Sequence, residues 1–140
     1  MKRRSSTMKK MLLFSLVTGI FMACNKDQSS CKEAICTMEV RSIGLVLRTA
    51  QGVIPPSVDY CKTYLNGRLL HTGIGSVDGN YYNVSVLDDS HRTRFSLNKP
   101  QTIQVQIFQQ GSLSKEVNFS ILADCCHINR LSGPDTVIVQ

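Results

Sequence analysis

Tyr60-Cys61-Lys62-Thr63-Tyr64-Leu65-Asn66-Gly67-Arg68-Leu69-Leu70-His71-Thr72 is the stretch that decides the fold. Asn66-Gly67 supplies the two residues that most readily take positive φ together. A two-residue type I′ hairpin turn needs both, and its twist matches that of the flanking strands. The turn sets a register: Leu65 opposite Arg68, Tyr64 opposite Leu69, Thr63 opposite Leu70. The flanks are rich in β-branched and aromatic residues, which fit a pleated, half-buried surface.

The same grammar runs outward in both directions. Downstream, Gly73 to Asn80 reads as a glycine-rich connection and Tyr81 to Leu87 as a strand with Tyr82, Val84 and Val86 on one face. Asp88-Asp89-Ser90-His91 reads as a polar loop, and Arg92 to Leu97 as a short strand closed by Asn98-Lys99-Pro100. Ile103, Val105 and Ile107 alternate with Gln104, Gln106 and Phe108, the signature of a strand with one wet face. Gln110-Gly111-Ser112 turns the chain, Val117, Phe119 and Ile121 repeat the alternation, and Thr136 to Val139 forms a last strand. Upstream, a strand is expected from Thr37 to Thr49. Its apolar phase changes near Ser42-Ile43, which requires a β-bulge or a change of sheet. Pro55-Pro56 excludes a central strand. No window carries a helical period. Seven or eight short strands with regular turn signals predict an all-β, antiparallel two-sheet sandwich. Its architecture resembles immunoglobulin-like or transthyretin-like domains; the chain has no Trp, so the buried Trp of the former is missing and the topology stays open.

The chain starts differently. Lys2, Arg3, Arg4, Lys9 and Lys10 precede a 13-residue apolar run, Met11 to Ala23, interrupted only by Ser15, Thr18 and Gly19. Spanning a bilayer takes about 20 residues, whereas this length suits the apolar region of a signal peptide. A buried N-terminal helix would not explain the charge asymmetry or the abrupt polar stretch after Cys24. Phe21-Met22-Ala23-Cys24 resembles a lipobox, the processing site of bacterial lipoproteins. The resemblance implies cleavage before Cys24 and a diacyl or triacyl anchor, palmitate among its chains, on that cysteine. Two or more chains give stable anchoring where one does not. Asn25 in place of Asp implies outer-membrane rather than inner-membrane residence, and Lys26-Asp27 resembles a short surface-export tag. Residues 1–23 are then signal peptide, 24–30 a lipidated tether and 31–140 the β-sandwich domain.

Processing changes the charge. The full chain carries a formal +6, but five of its sixteen basic residues and none of its ten acidic ones lie before Cys24, leaving +1. Without a clustered cationic face, nucleic-acid binding is not expected.

Five cysteines remain: Cys31, Cys36, Cys61, Cys125 and Cys126. An exported chain favours oxidation, so Cys31, Cys36, Cys125 and Cys126 are expected to form two bridges joining the start of the domain to its end, with Cys36 bonded to one of the adjacent pair. Adjacent residues on a strand point to opposite faces, so Cys125 and Cys126 are not expected to bond each other. Cys61 is the expected free thiol. A bridge closing a loop of about 90 residues stabilises by roughly 4–5 kcal/mol in the chain-entropy model. The competing reading is a metal or thiol-redox centre built on Cys31, Cys36, Cys125, Cys126 and His127. Adjacent cysteines suit tetrahedral zinc poorly, and a Cys-x-x-Cys motif is absent. Glu33-Ala34-Ile35-Cys36-Thr37 and Asp124-Cys125-Cys126-His127-Ile128 also resemble segments of small cysteine-containing β-sandwich lipoproteins, which implies a fold and no activity.

Other candidates are weaker. Asp78 and Asp88-Asp89 could suggest calcium, which needs six to eight oxygens from a shaped loop; solvated turns explain them as well. Asp135-Thr136-Val137 resembles a bacterial O-glycosylation acceptor, with Thr136 as the site. Tyr60, Tyr64, Tyr81 and Tyr82 are read either as an aromatic binding face or as cross-strand packing. His71 and His91 read as surface or boundary residues. No catalytic constellation or cofactor motif stands out. The expected function is a non-enzymatic, lipid-anchored binding module of the cell envelope, held to the outer membrane through Cys24 and contacting an envelope protein or glycan.

Overall fold

The computed structural model describes residues 31–55 and 58–140. The expected signal peptide at 1–23, Cys24 and the expected tether at 24–30 lie outside the described residues, as do Pro56 and Ser57.

The domain is the expected two-sheet sandwich. Among the described residues nine strands run in chain order: β1 Ser42–Arg48, β2 Tyr60–Leu65, β3 Arg68–Gly73, β4 Gly75–Asp78, β5 Tyr81–Asp88, β6 Pro100–Gln109, β7 Ser112–Ala123, β8 Ile128–Ser132 and β9 Thr136–Ile138. One sheet has the order β4-β5-β1-β9, the other β3-β2-β6-β7-β8. All pairings are antiparallel except β1 with β9, which is parallel.

Alternation decides which side chains meet between the sheets. The four-stranded sheet contributes Ile43, Leu45, Leu47, Val84, Val86, Leu87 and Val137; the five-stranded sheet contributes Leu65, Ile103, Val105, Ile107, Phe119, Ile121 and Ile128. Burying each such side chain is worth about 1.5–3 kcal/mol.

The Asn66-Gly67 turn has both residues at positive φ, 51° and 75°. Leu65 pairs with Arg68 and Tyr64 with Leu69 as expected, but Thr63 then pairs with His71, because a bulge places Leu70 as the extra residue. The expected irregularity near Ile43 is a bulge between Ile43 and Gly44, and the extra residue lies on the partner strand: Ile43 faces Leu87 while Gly44 faces Ser85. Val86 and Leu87 can therefore both be buried in succession.

Three expectations are corrected. The first strand begins at Ser42 rather than Thr37, because residues 36–41 are tied to the β7–β8 turn. The region from Asp89 to Arg94 is a 3-10 helix, where a loop and the start of a strand were expected. Asp88 caps it by accepting the Ser90 N–H, and no residue in it is buried, so it leaves no periodic trace. The glycine-rich connection contains β4, and β8 occupies a stretch to which no strand was assigned. Both are edge strands, with none of four and one of five residues buried respectively, so neither shows alternation.

The chain changes sheets at Gly73-Ile74-Gly75, between β3 and β4. A Cβ on Gly73 would lie 1.9 Å from the Ser85 carbonyl oxygen, so only glycine permits this approach. Beside it, the Cys61 thiol donates to the Ser85 carbonyl at 3.3 Å and the buried Thr63 hydroxyl to the Val86 carbonyl at 2.7 Å. These bonds tie β2 to β5 across the core.

Candidate functional site

Two places concentrate the chemistry of this domain: a clasp at one end, and the outward face of the five-stranded sheet.

The clasp forms where the first described residues meet the turn between β7 and β8. Cys31 is bonded to Cys125 and Cys36 to Cys126, with Cα–Cα separations of 5.3 and 5.2 Å. The turn is shaped by Asp124, whose Oδ1 accepts the N–H groups of Cys126 and His127 at 2.8 and 2.7 Å, while Oδ2 accepts from the Asn129 amide at 2.8 Å. An Asp bonding to N–H groups two and three residues ahead is a local turn former.

His127 is the buried centre of the clasp. Its Nδ1 lies 2.8 Å from Asp89 Oδ2, and its Nε2 lies 3.3 Å from the Thr37 hydroxyl. The His127 and Asp89 side chains are 9% and 13% exposed. Asp89 also accepts the Ile128 N–H on Oδ1 and the Arg41 N–H on Oδ2, both at 2.7 Å. One carboxylate thus gathers the 3-10 helix, the start of β8 and the segment leading into β1. Burial pushes the Asp89 carboxyl upward, but the Arg41 N–H, the His127 ring and the Ile128 N–H outweigh it and hold the pKa below the ordinary Asp value. Asp124 is likewise lowered: burial opposes, and the Cys126 and His127 N–H groups and the Asn129 amide prevail.

Hydroxyl, imidazole and carboxylate in this order also occur in hydrolytic relays. A relay also needs donors for the oxyanion. Here the N–H groups of Cys126 and His127 are both bound to Asp124, so neither of these two is free to serve as such a donor. A shallow cavity of about 430 Å³ lies beside it, bordered among others by Ile35, Thr37, Arg41 and Asn98.

The second place is the outer side of β2, β6 and β7. On β2 the buried Cys61, Thr63 and Leu65 alternate with half-buried Tyr60, Lys62 and Tyr64. Tyr60 pairs with Phe108 and Lys62 with Gln106, while Tyr64 pairs with Gln104. The rings of Tyr60 and Phe108 stack with centroids 4.8 Å apart, and the Lys62 ammonium lies 5.4 and 5.2 Å from them. Beside this patch, Glu116 accepts from the amides of Gln104 and Gln106 at 2.8 and 3.1 Å. The result is an aromatic surface edged by amides and by one charge of each sign.

The remaining expected site residues are scattered. Tyr81 and Tyr82 belong to the other sheet, so the four tyrosines do not make one face. Arg48 lies over the Tyr81 ring at 4.7 Å, and the Tyr82 hydroxyl donates to the Val58 carbonyl at 2.7 Å. Asp88 binds Ser90 and His91, whereas Asp89 faces His127; Asp78 stands exposed on β4. Among the described residues no group of three or more His, Cys, Asp and Glu side chains is placed to hold a metal ion. The sulfurs of Cys125 and Cys126 are in disulfides, so with both bridges formed they offer no thiolate to a metal. Cys61 is free and buried, and burial raises its pKa. Thr136 is exposed at the start of edge strand β9. His71 touches His91 edge to face at 5.1 Å, and burial followed by the His91 charge lowers its pKa. No helix of the described residues is long and apolar enough to cross a membrane.

Comparison with known protein families, with curated proteins and with solved structures finds no match to this chain.

The role of His127 is absent from the sequence reading. A signal was available: Asp124 ahead of Cys-Cys-His is the pattern of a side chain capping the amides two and three residues ahead. The distant partners, Asp89 and Thr37, left no such trace.

Proposed function

We propose that this chain is a lipid-anchored envelope protein whose β-sandwich acts as a non-enzymatic binding module. The anchor is Cys24, read from the lipobox. The clasp begins at Cys31, close behind the anchor in sequence, so a pull on the lipid enters the sandwich through two covalent bonds. β7 runs away from the clasp from Ala123 to Ser112, about 35 Å at ~3.3 Å per residue. Phe108 pairs with Leu113 near the far end of that strand. The aromatic patch therefore stands on the part of the domain remote from the anchor.

The observation that carries the reading is this patch. Tyr60 stacked on Phe108, with Lys62, Gln104, Gln106 and Glu116 around it, offers flat apolar area with hydrogen-bonding groups at its border. Envelope glycans and protein surfaces both use such ground, since tyrosine supplies contact area at low entropic cost. A glycan on Thr136 would decorate edge strand β9 on the other sheet, away from the patch.

The test compares wild type with a Tyr60→Ala/Phe108→Ala variant on an array of envelope glycans and on solubilised envelope proteins. Removing two central aromatic anchors is expected to weaken binding at least about tenfold. Equal binding by the folded variant, or no ligand for wild type in either set, would refute the assignment.

A further inference from the structure

Three large apolar side chains lie within six residues beside the clasp: Ile35 is 98% exposed, Met38 101% and Val40 74%. No other six-residue stretch of the described residues holds three. The disulfides explain why they stay outside. Cys31 and Cys36 are covalently held to Cys125 and Cys126, and Thr37 and the Arg41 N–H are tied to His127 and Asp89. These ties hold the segment at the outside of the sandwich.

We propose that residues 34–40 are a lipid-surface contact that seats the domain on the membrane. The proposal rests on the lipid-anchor reading. Cys24 precedes Cys31 by seven residues, which reach at most about 25 Å when fully extended, so anchored lipid keeps this segment at the bilayer. The charges in and beside it cancel: Lys32 and Arg41 on its flanks against Glu33 on its flank and Glu39 within it. The contact is therefore apolar, needs no anionic lipid and resists salt. Seating at the clasp turns the aromatic patch away from the membrane, toward a ligand.

The test uses the mature-length chain with Cys24→Ser, which has no acyl group, in flotation with phosphatidylcholine vesicles. This protein is expected to float with vesicles, and Ile35→Ser/Met38→Ser in the same background to lose binding by at least about tenfold, since one buried side chain of this size is worth about that factor. Raising salt to about 1 M, where screening lengths fall to about 3 Å, is expected to leave binding unchanged. Equal flotation of the two variants, or loss of binding in salt, overturns the proposal. So does a dimer in sedimentation that the double substitution abolishes, because a second copy would then be the occupant. The mass of the wild-type N-terminal peptide reads the anchor separately. Missing acyl groups would overturn the anchor reading, while the flotation difference still decides the seat.

Discussion

Removing the two disulfides one at a time and then together should give strongly non-additive losses. Cys31–Cys125 closes a separation of 94 residues, for which the chain-entropy model gives about 4.7 kcal/mol. Once that bridge exists, Cys36–Cys126 closes only a small ring, because its partners lie five and one residues from those of the first. The same relation gives about 2 kcal/mol for a ring of about six residues. The situation is symmetrical, so Cys31→Ala/Cys125→Ala and Cys36→Ala/Cys126→Ala should each cost about 2 kcal/mol, and the fourfold variant about 7. The excess of about 2–3 kcal/mol over the sum of the two variants is the coupling. Urea unfolding of the four proteins, with midpoints and slopes fitted together, measures it. Two losses of about 4–5 kcal/mol that simply add would refute the paired clasp, because each bridge would then close its own long loop.

Other predictions follow from the same contacts. Asp89 and Asp124 have lowered folded-state pKa values, so their contribution is fully present above the unfolded Asp value of about 3.9 and is lost as pH falls through the folded values; the part of the urea midpoint they carry should be constant above about pH 5 and fall below about pH 4, in addition to the decline below about pH 6.5 that the lowered His71 brings. In Asp89→Asn/Asp124→Asn that acid dependence should shrink, and an unchanged profile would contradict the assignment. His127→Ala should cost about 2 kcal/mol by leaving the Asp89 carboxylate and the Thr37 hydroxyl without their shared partner, read from the same unfolding curves. Gly73→Ala should cost about 3 kcal/mol or more because its Cβ would overlap the Ser85 carbonyl; a neutral result would show that the sheet crossing is looser than described. The Cys61 thiol, buried and raised in pKa, should react with a thiol reagent only at the rate of unfolding, and rapid modification of the native protein would place it at the surface.

The legible parts of the fold were those with a strong local cause. Asn66-Gly67 fixes its own turn, and Ile103, Val105, Ile107, Phe119 and Ile121 alternate because both strands have one dry face. The sequence is silent where burial is one-sided or partners are remote. β4 and β8 sit at edges and bury too little to alternate. The 3-10 helix is six residues long and buries none of them. Leu70 and Val86 are bulge residues whose displacement depends on pairing, not on their neighbours in sequence. For the site, the cysteine count pointed to a staple, but which sulfur meets which depends on the Asp124 turn. The His127–Asp89 contact spans 38 residues and has no periodic or motif signal. The outward row Tyr60, Lys62 and Tyr64 was visible as alternation, whereas its meeting with Phe108 and Glu116 required the β2–β6–β7 order.

We propose a clasped domain hung from a lipidated Cys24. Mass spectrometry of a non-reducing digest, made from protein purified out of bacterial membranes, tests it most directly. The expected result is an N-terminal peptide beginning at Cys24 and carrying two or three acyl chains, bridges Cys31–Cys125 and Cys36–Cys126, and a free thiol on Cys61. An unmodified Cys24 on protein recovered from the soluble fraction would contradict it.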